Sequence, residues 1–567
     1  MSNFQRTLIT AALPYANGEI HLGHLAGAYL PADVYARYLR LRGREVLFIC
    51  GTDEYGVPIT LTAEKQGITP QELVDRNHAS IKASFEGFGM TFDNFSQTSR
   101  AVHTETSQAF FLDLHRRGVL VQKSSEQFYS PTQGRFLADR YIEGTCPQCH
   151  SAGARGDQCE KCGSSLNPDE LIEPRSVLDN SPLEKRATVH WYLPLDVWQP
   201  ELEAWLATHP EWKENILNYC RGWFQDGLQP RAATRDLHWG VPVPLPDHEG
   251  KVFYVWFDAP IGYISATREW AAARGDPEAW RLWWQDPGSR LVHFIGKDNI
   301  VFHAIMFPGM LMHHSEPWVL PDNVPANEFL NLEGNKLSTS RGYAVWLPDF
   351  LQRFSADTLR YTLARTLPET KDTNFTWEGL QSRSDNELGN NFGNLINRVF
   401  TFAHKYFEGR VPAWTEADLT DLDRAALDEV TACRGRWAER LERFEVRAAL
   451  DEAFAAGQAG NRYFDESAPF RSRKDDLARC GVSIAVTLQI VRQLVVMLAP
   501  VVPFSMTKVW GWLGMETDLH RGGWAEGLEA LPAGRALGTP EILFPRLDPD
   551  VIAAEVERLR ALTDGLA

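Results

Sequence analysis

The sequence predicts an α/β protein: a doubly wound parallel sheet, interrupted by a small metal-held insert and followed by a bundle of helices. Three observations carry this. An apolar run at 7–13 passes through a Pro/Asn/Gly turn into an apolar-periodic segment at 25–41, which Gly43 closes, and a second apolar run follows at 45–50. Strand, helix, strand at that spacing is a βαβ unit with a right-handed crossover. Two Cys-x-x-Cys pairs, Cys146/Cys149 and Cys159/Cys162, supply four thiolates at knuckle spacing for one tetrahedral ion. Beyond Asp385 the apolar period is helical, with helix-length segments at 387–402, 422–444, 446–461 and 480–497, broken at Pro469 and at Pro500 and Pro503.

The first turn carries the clearest chemistry. A strand that runs through Pro14-Tyr15-Ala16-Asn17-Gly18 into a helix start presents unpaired N–H groups and a positive dipole end, a seat for phosphate. His21 and His24 stand at i and i+3 there, and Gly23 between them lets a planar group approach the backbone. A bare histidine pair is more often plain surface, but this one lies at the carboxyl end of the first strand, where nucleotides bind in open α/β sheets. Strand, turn and spacing resemble the HIGH signature of class I aminoacyl-tRNA synthetases, and residues 13–24 resemble the methionyl-tRNA synthetases. The resemblance implies that the two imidazoles hold the ATP phosphates, beside Gly23.

Composition agrees with a large ordered enzyme. The 567 residues suit roughly three to five domains, and 44% hydrophobic with 11% aromatic content excludes a disordered chain. There is no basic start with an apolar signal core, and no apolar run reaches the roughly 18 residues of a spanning helix, so a cytoplasmic protein without a membrane is expected. Eight cysteines are too few for a disulfide scaffold. A net charge of −17 argues against non-specific binding along nucleic acid, leaving room for a local basic surface for one RNA.

Asp53 ends the second strand, either as a helix N-cap or as the anion for a substrate ammonium. In the resembled family an aspartate here binds the α-amino group of methionine. Residues 59–117 read as helical. The cysteine quartet that follows is closed to substrate, so its Zn2+ is structural and holds a small β-rich insert that lacks a core of its own; methionyl-tRNA synthetases carry such knuckles between the halves of their nucleotide fold. Residues 165–235 again read as helical, with Trp191, Trp198, Trp205, Trp212 and Trp223 as filler.

A strand at 251–255 leads into Trp256-Phe257-Asp258-Ala259-Pro260-Ile261-Gly262-Tyr263. Its Trp and Tyr around a proline turn line an apolar pocket or belong to plain core. The stretch is similar to the family's methionine-pocket motif, which implies that Trp256, Ala259, Pro260 and Tyr263, joined by Leu13 and Tyr15, bind methionine; a polarizable thioether packs well on aromatic edges. The strand at 290–295 ends in Gly296-Lys297-Asp298-Asn299, and Asp298 serves a ribose hydroxyl or caps the helix. In the family Gly296 and Asp298 match residues at the adenosine, while Ile300 and His303 match the amino-acid pocket.

The loop at 333–342 contains Lys336-Leu337-Ser338-Thr339-Ser340-Arg341. It resembles the KMSKS signature, whose lysines neutralise phosphate charge in the activation transition state, which implies that Lys336, Ser338, Thr339 and Ser340 meet ATP; with Thr339 offering only a hydroxyl, Lys336 and Arg341 are expected to supply the charge. Thr339 stands where the family usually has its second lysine. A solvated loop is the rival reading.

In the bundle, Asn394 and Arg398 share a face at i and i+4, and amide and guanidinium groups read the edges of splayed bases. The family reads its CAU anticodon with this pair and with a tryptophan after Asp-Glu-x-Ala-Pro; here Phe470 follows Asp465-Glu466-Ser467-Ala468-Pro469, for stacking or for the bundle's core.

These stretches keep the family's order from residue 7 to about 540. The resemblance implies a class I Rossmann-type parallel-sheet catalytic domain in two halves, 1–117 and 237–325, with an inserted zinc-knuckle connective domain at 118–236. A stem-contact region at 326–385, an α-helical anticodon-binding domain at 386–545 and a terminal helix at 546–567 follow. No appended OB-fold is evident, so a monomer is expected. The implied reaction joins L-methionine and ATP, with Mg2+, into methionyl-adenylate, then esterifies initiator and elongator tRNA(Met). Two rivals stand beside it. Another class I synthetase is opposed by the lack of room for a branched-chain editing insertion and by a closed zinc site. The other is a non-catalytic tRNA-binding relative.

Overall fold

Six strands build the sheet that carries the site. In space they run Pro321–Asn323, Ser289–Gly296, Arg6–Ala11, Glu45–Thr52, Asn94–Gln97, all paired in parallel, with Ala326–Asn327 also beside Ser289–Gly296. The computed structural model describes residues 4–564 except 138–140, 157–158, 160, 163–165, 167, 247 and 339–341. A parallel sheet needs both faces covered, and Leu8, Ile9, Leu47, Phe48, Leu291 and Val292 are buried accordingly. Each such side chain contributes roughly 1.5–3 kcal/mol. Strand order reverses at Arg6–Ala11, and the crevice at that switch point is where open α/β sheets take ligands.

The first helix starts earlier than its apolar period suggested. Leu22–His24 runs through a π-turn, Leu25–Tyr29, into Leu30–Leu41. Pro31 explains the irregular turn. It has no N–H to give the preceding turn, and the Ala26 carbonyl instead accepts from Asn327 Nδ2 at 2.8 Å.

Two stretches expected to be helical contain strands. Within 59–117 the helices Val57–Gln66, Pro70–Phe88 and Ala101–Arg116 enclose Asn94–Gln97, an edge strand of the sheet. Within 165–235, Ile172–Ser176 and Glu184–Leu193 precede helices Leu195–Leu206 and Glu214–Asp226. Glu184–Leu193 is made a strand by its long antiparallel pairing with Val121–Ser130, a partner that no local pattern announces. The insert also has a small core, contrary to expectation: Phe128, Tyr141, Ile142, Leu166 and Leu171 cluster with Cys146 and Cys159.

The expected bundle is present, with Asp421–Glu442, Val446–Glu466 and Leu477–Leu498 as its long helices. Pro469 and Pro503 do not merely break helices. Each opens one, Pro469–Asp475 and Pro503–Trp512, at the position where a missing N–H costs nothing. Against the expectation that no segment reaches spanning length, Leu477–Leu498 is long and apolar enough, with mean hydropathy 1.8, but that apolar window is wholly buried. It is the bundle's central helix.

Candidate active site

The phosphate-type turn is fastened to the sheet by backbone bonds. Asp53 N donates to Pro14 O at 2.9 Å and Ala16 N to Asp53 O at 2.8 Å, so Tyr15 and Asp53 sit side by side beyond the strand ends. His21 is the helix N-cap. Its Nδ1 accepts from Gly23 N at 3.1 Å, and its own N–H donates to His24 Nδ1 at 3.2 Å. A neutral imidazole that accepts on one nitrogen carries its proton on the other. Burial, with the neighbouring His24, pushes His21 down to about 2, and burial pushes His24 down to about 4. Both rings are therefore neutral at pH 7, stacked at 3.7 Å, and each offers an Nε2–H donor.

The lysine loop docks on this turn. Leu22 N donates to Val345 O, Leu347 N donates to Ile20 O at 2.9 Å, and His21 pairs with Trp346 as in a strand. A Cβ added at Gly23 would meet Leu337 Cδ1 at 2.7 Å and His21 Cε1 at 2.9 Å. A side chain at this position would have to displace the His21 ring and the tip of Leu337. Beside Gly296, by contrast, a Cβ would meet nothing within 4 Å. Lys336, in the short strand Asn335–Lys336, is exposed and holds its ammonium 4.9 Å from the Phe329 ring centroid; Lys297 lies 4.0 Å from the same centroid. Asp298 is exposed at the surface. Partial desolvation pushes its carboxyl up, and Lys297 and Lys336 oppose that. Ser338 N donates to Tyr343 O at 3.0 Å. Thr339, Ser340 and Arg341 lie outside the described residues.

Next to the turn a cleft of about 900 Å³ opens. Leu13, Tyr15, Asp53, Trp256, Ala259, Pro260, Tyr263 and His303 all line it; Ile300 is buried and does not. Trp256 stacks flat on Phe302 at 3.6 Å. Tyr263 Oη bonds His303 Nε2 at 2.8 Å, while His303 Nδ1 lies 3.0 Å from the Asn299 carbonyl. A carbonyl only accepts, so Nδ1 carries the proton and Nε2 accepts from the tyrosine; burial pushes His303 down to about 4. Asp53 is buried and its Oδ1 has no partner. Burial and the Asp258 carboxylate push its carboxyl well above the usual range, against the Tyr55 N–H. Gly56, at φ +111, faces Tyr15 Oη, which a Cβ would meet at 2.8 Å.

Sequence reasoning missed several lining residues. Tyr55 and Trp239 meet edge to face at 5.3 Å, and Trp239 Nε1 donates to Glu54 O at 2.7 Å. Asn299 and Arg235 line the cleft too, and Gln127 and Tyr192 reach it from the insert's paired strands. Trp239 follows His238 in a short aromatic run, a weak local signal, and Arg235 ends a stretch read as helical. Gln127 and Tyr192 had none.

The four cysteines converge. Their sulfurs all lie within 4.8 Å of one another, with Cys146–Cys162 at 3.8 Å and Cys149–Cys159 at 3.7 Å. Sulfurs bound at about 2.3 Å in a tetrahedron are about 3.8 Å apart, so the quartet has the spacing of a structural metal site. At the far end of the chain, Arg398 bonds Asp465 at 2.5 Å, which brings it to the turn that presents Phe470. Phe470 is 43% exposed, so it is not core; Asn394 is exposed at the same helix's start.

A parallel sheet with neutral imidazole donors at its switch point, a lysine loop docked upon them and a helical bundle behind defines a class I aminoacyl-tRNA synthetase architecture. Comparison narrows this. The family model described as tRNA synthetases class I (M) matches residues 7–400, and that for the anticodon binding domain of methionyl tRNA ligase matches 411–563. Methionine–tRNA ligases of Bacteroides fragilis and Salinibacter ruber are each 50% identical, over 98% of this chain and 81% of their own length. A Mycobacterium tuberculosis methionyl-tRNA synthetase solved in complex with methionyl-adenylate is 26% identical, with a TM-score of 0.77 over 96% of this chain and 100% of that one. The chain belongs to the methionyl-tRNA synthetase family.

Proposed function

We propose that this chain activates L-methionine with ATP, giving methionyl-adenylate and pyrophosphate, and then transfers the methionyl group to initiator and elongator tRNA(Met). One observation carries the reading. Leu13 and Tyr15 line the aromatic cleft and open the turn that ends in His21 and His24, so an amino acid in the cleft and a phosphate on the turn are neighbours. Asp53 takes the ammonium. Leu13, Tyr15, Trp256, Ala259, Pro260, Tyr263 and His303 surround the thioether, with Ile300 behind.

The methionine carboxylate attacks the α-phosphorus and pyrophosphate leaves; a terminal ribose hydroxyl of tRNA then attacks the acyl carbon and AMP leaves. No covalent enzyme intermediate is needed, so catalysis is positioning and charge stabilisation. His21 and His24 donate Nε2–H to the phosphates beside Gly23, Gly296 and Asp298 hold the adenosine, and Lys336 with Ser338 meets the leaving phosphates. Thr339, Ser340 and Arg341 join them on sequence grounds alone. Mg2+ accompanies the ATP phosphates, and Zn2+ fills the cysteine quartet. Asn394, Arg398 and Phe470 read the anticodon. The enzyme works as a cytoplasmic monomer, its catalytic halves at 1–117 and 237–325.

Charging tests the whole reading: labelled methionine should become esterified to a CAU-anticodon tRNA and fall sharply when that anticodon is changed, and no esterification contradicts it. Lys336→Ala should slow methionine-dependent ATP–pyrophosphate exchange by about a hundredfold with methionine KM little changed; unchanged exchange removes Lys336 from the chemistry. Elemental analysis should find one zinc per chain. Cys159→Ser should lose it and make 121–193 sensitive to protease, because small metal sites supply folding energy directly. A stable, metal-free insert contradicts that role.

A further inference from the structure

The face that carries Asn394 and Arg398 does not stop with them. Phe402 and Tyr406 continue the same row along Asn394–Tyr406 at four-residue steps. The row spans about 18 Å at 1.5 Å per residue, longer than a single base reaches. It is a continuous ladder of rings and cations. Arg398 lies 4.3 Å from the Phe464 centroid, Phe464 meets Phe402 edge-on at 6.3 Å, and Phe402 meets Tyr406 at 4.6 Å. At its end the Arg473 guanidinium lies 4.8 Å from the Tyr406 centroid, and Lys405 lies 5.5 Å from it.

Arg473 comes from Pro469–Asp475, the helix that presents Phe470 at its other end. The turn before it holds Ala468 at φ +45, a left-handed conformation that alanine adopts only under constraint. That helix carries Arg471, Arg473 and Lys474 against one carboxylate, Asp475, in a chain whose net charge is −17. Cations gathered around the half-buried Phe402 and Tyr406 rings, beside the exposed Phe470, match single-stranded nucleic acid, whose bases stack on aromatic rings and guanidinium planes while cations track the phosphates.

We propose that Tyr406 and Arg473 form a second stacking platform, for an unpaired anticodon-loop nucleotide next to the triplet; this rests on the anticodon reading of Asn394, Arg398 and Phe470. Stacking on a ring is open to every base because each has a π-face, so the platform contributes affinity with little sequence preference. Tyr406→Leu, which keeps packing against Phe402 but removes the π-face, raises KM for tRNA about tenfold, and Tyr406→Phe restores it. Arg473→Gln lowers the salt dependence of that KM.

The direct experiment scans abasic nucleotides through the positions flanking the triplet in a methionine-accepting tRNA. The wild type should lose affinity at one flanking position, whatever base stood there, and Tyr406→Leu should be indifferent to the same lesion. Equal sensitivity of both proteins, or no flanking effect in the wild type, overturns the platform. Arg398→Ala is the control: if it leaves tRNA charging unchanged the anticodon reading itself fails, whereas a loss with Arg398→Ala and none with Tyr406→Leu removes the platform alone. Melting temperatures of all variants show that each has folded.

Discussion

Asp53→Asn should cost at least about a hundredfold in methionine-dependent ATP–pyrophosphate exchange, through a higher KM for methionine. The carboxyl is buried and Oδ1 has no partner, and the Tyr55 N–H offsets only part of the cost of its charge. Burial first, and then Asp258 and Glu54, push it well above the usual carboxylate range. An incoming ammonium supplies the missing counter-charge. A buried pair broken by removing one partner costs about 3–5 kcal/mol, which is a hundredfold or more. The same picture fixes a sign for pH. A carboxyl whose pKa is raised in the empty site and lowered by a bound ammonium gives up protons on binding, so methionine affinity should rise as pH rises toward that raised value. Calorimetry in buffers of different ionisation enthalpy should show proton release on methionine binding, and less of it in Asp53→Asn. Buffer-independent heats in the wild type contradict the assignment.

Arg360→Met should lower the first thermal unfolding transition by about 10 °C, on a loss of about 3–5 kcal/mol. Arg360 is fully buried where three parts of the chain meet. Its Nε donates to Val501 O at 2.9 Å, its Nη2 to Pro500 O at 3.0 Å and to Asp33 Oδ2 at 2.5 Å, and its Nη1 to Phe88 O at 3.3 Å. Asp33 sits on the helix that starts at the histidine turn and also takes Arg37 Nε at 2.8 Å. Burial pushes the Asp33 carboxyl up, but Arg37 and Arg360 outweigh it and hold it below the usual range. That stabilisation is present at neutral pH and is lost as pH falls through the lowered value. Removing Arg360 strands three buried carbonyls and leaves the buried Asp33 to Arg37 and Thr91. Lysine should not rescue, because an ammonium cannot span the guanidinium's fork. A shift within a degree or two would mean the site relaxes or hydrates without cost.

The parts of the molecule legible in sequence were those whose signal is local. The cysteine quartet was readable because tetrahedral sulfur geometry maps directly onto Cys-x-x-Cys spacing, and the structure brings all four together. The histidine turn and the Trp256–Tyr263 stretch were readable because strand, turn and helix start follow one another in a few residues. What depended on distant pairing was not. Glu184–Leu193 is a strand because Val121–Ser130 lies against it, and Asn94–Gln97 because Glu45–Thr52 does. The same limit hid Gln127 and Tyr192, which reach the cleft from that insert, and Leu337, whose tip a side chain at Gly23 would displace. Arg360 and Asp33 carry no motif at all; only the fold sets them together.

The reading stands or falls on whether the cleft and the histidine turn act as one site for one amino acid. Pyrophosphate exchange measured with each of the twenty amino acids, for the wild type and Asp53→Asn side by side, asks this directly. The account predicts exchange with methionine alone, reduced at least about a hundredfold in the variant. Exchange driven by a different amino acid, or equal exchange in the two proteins, would contradict it.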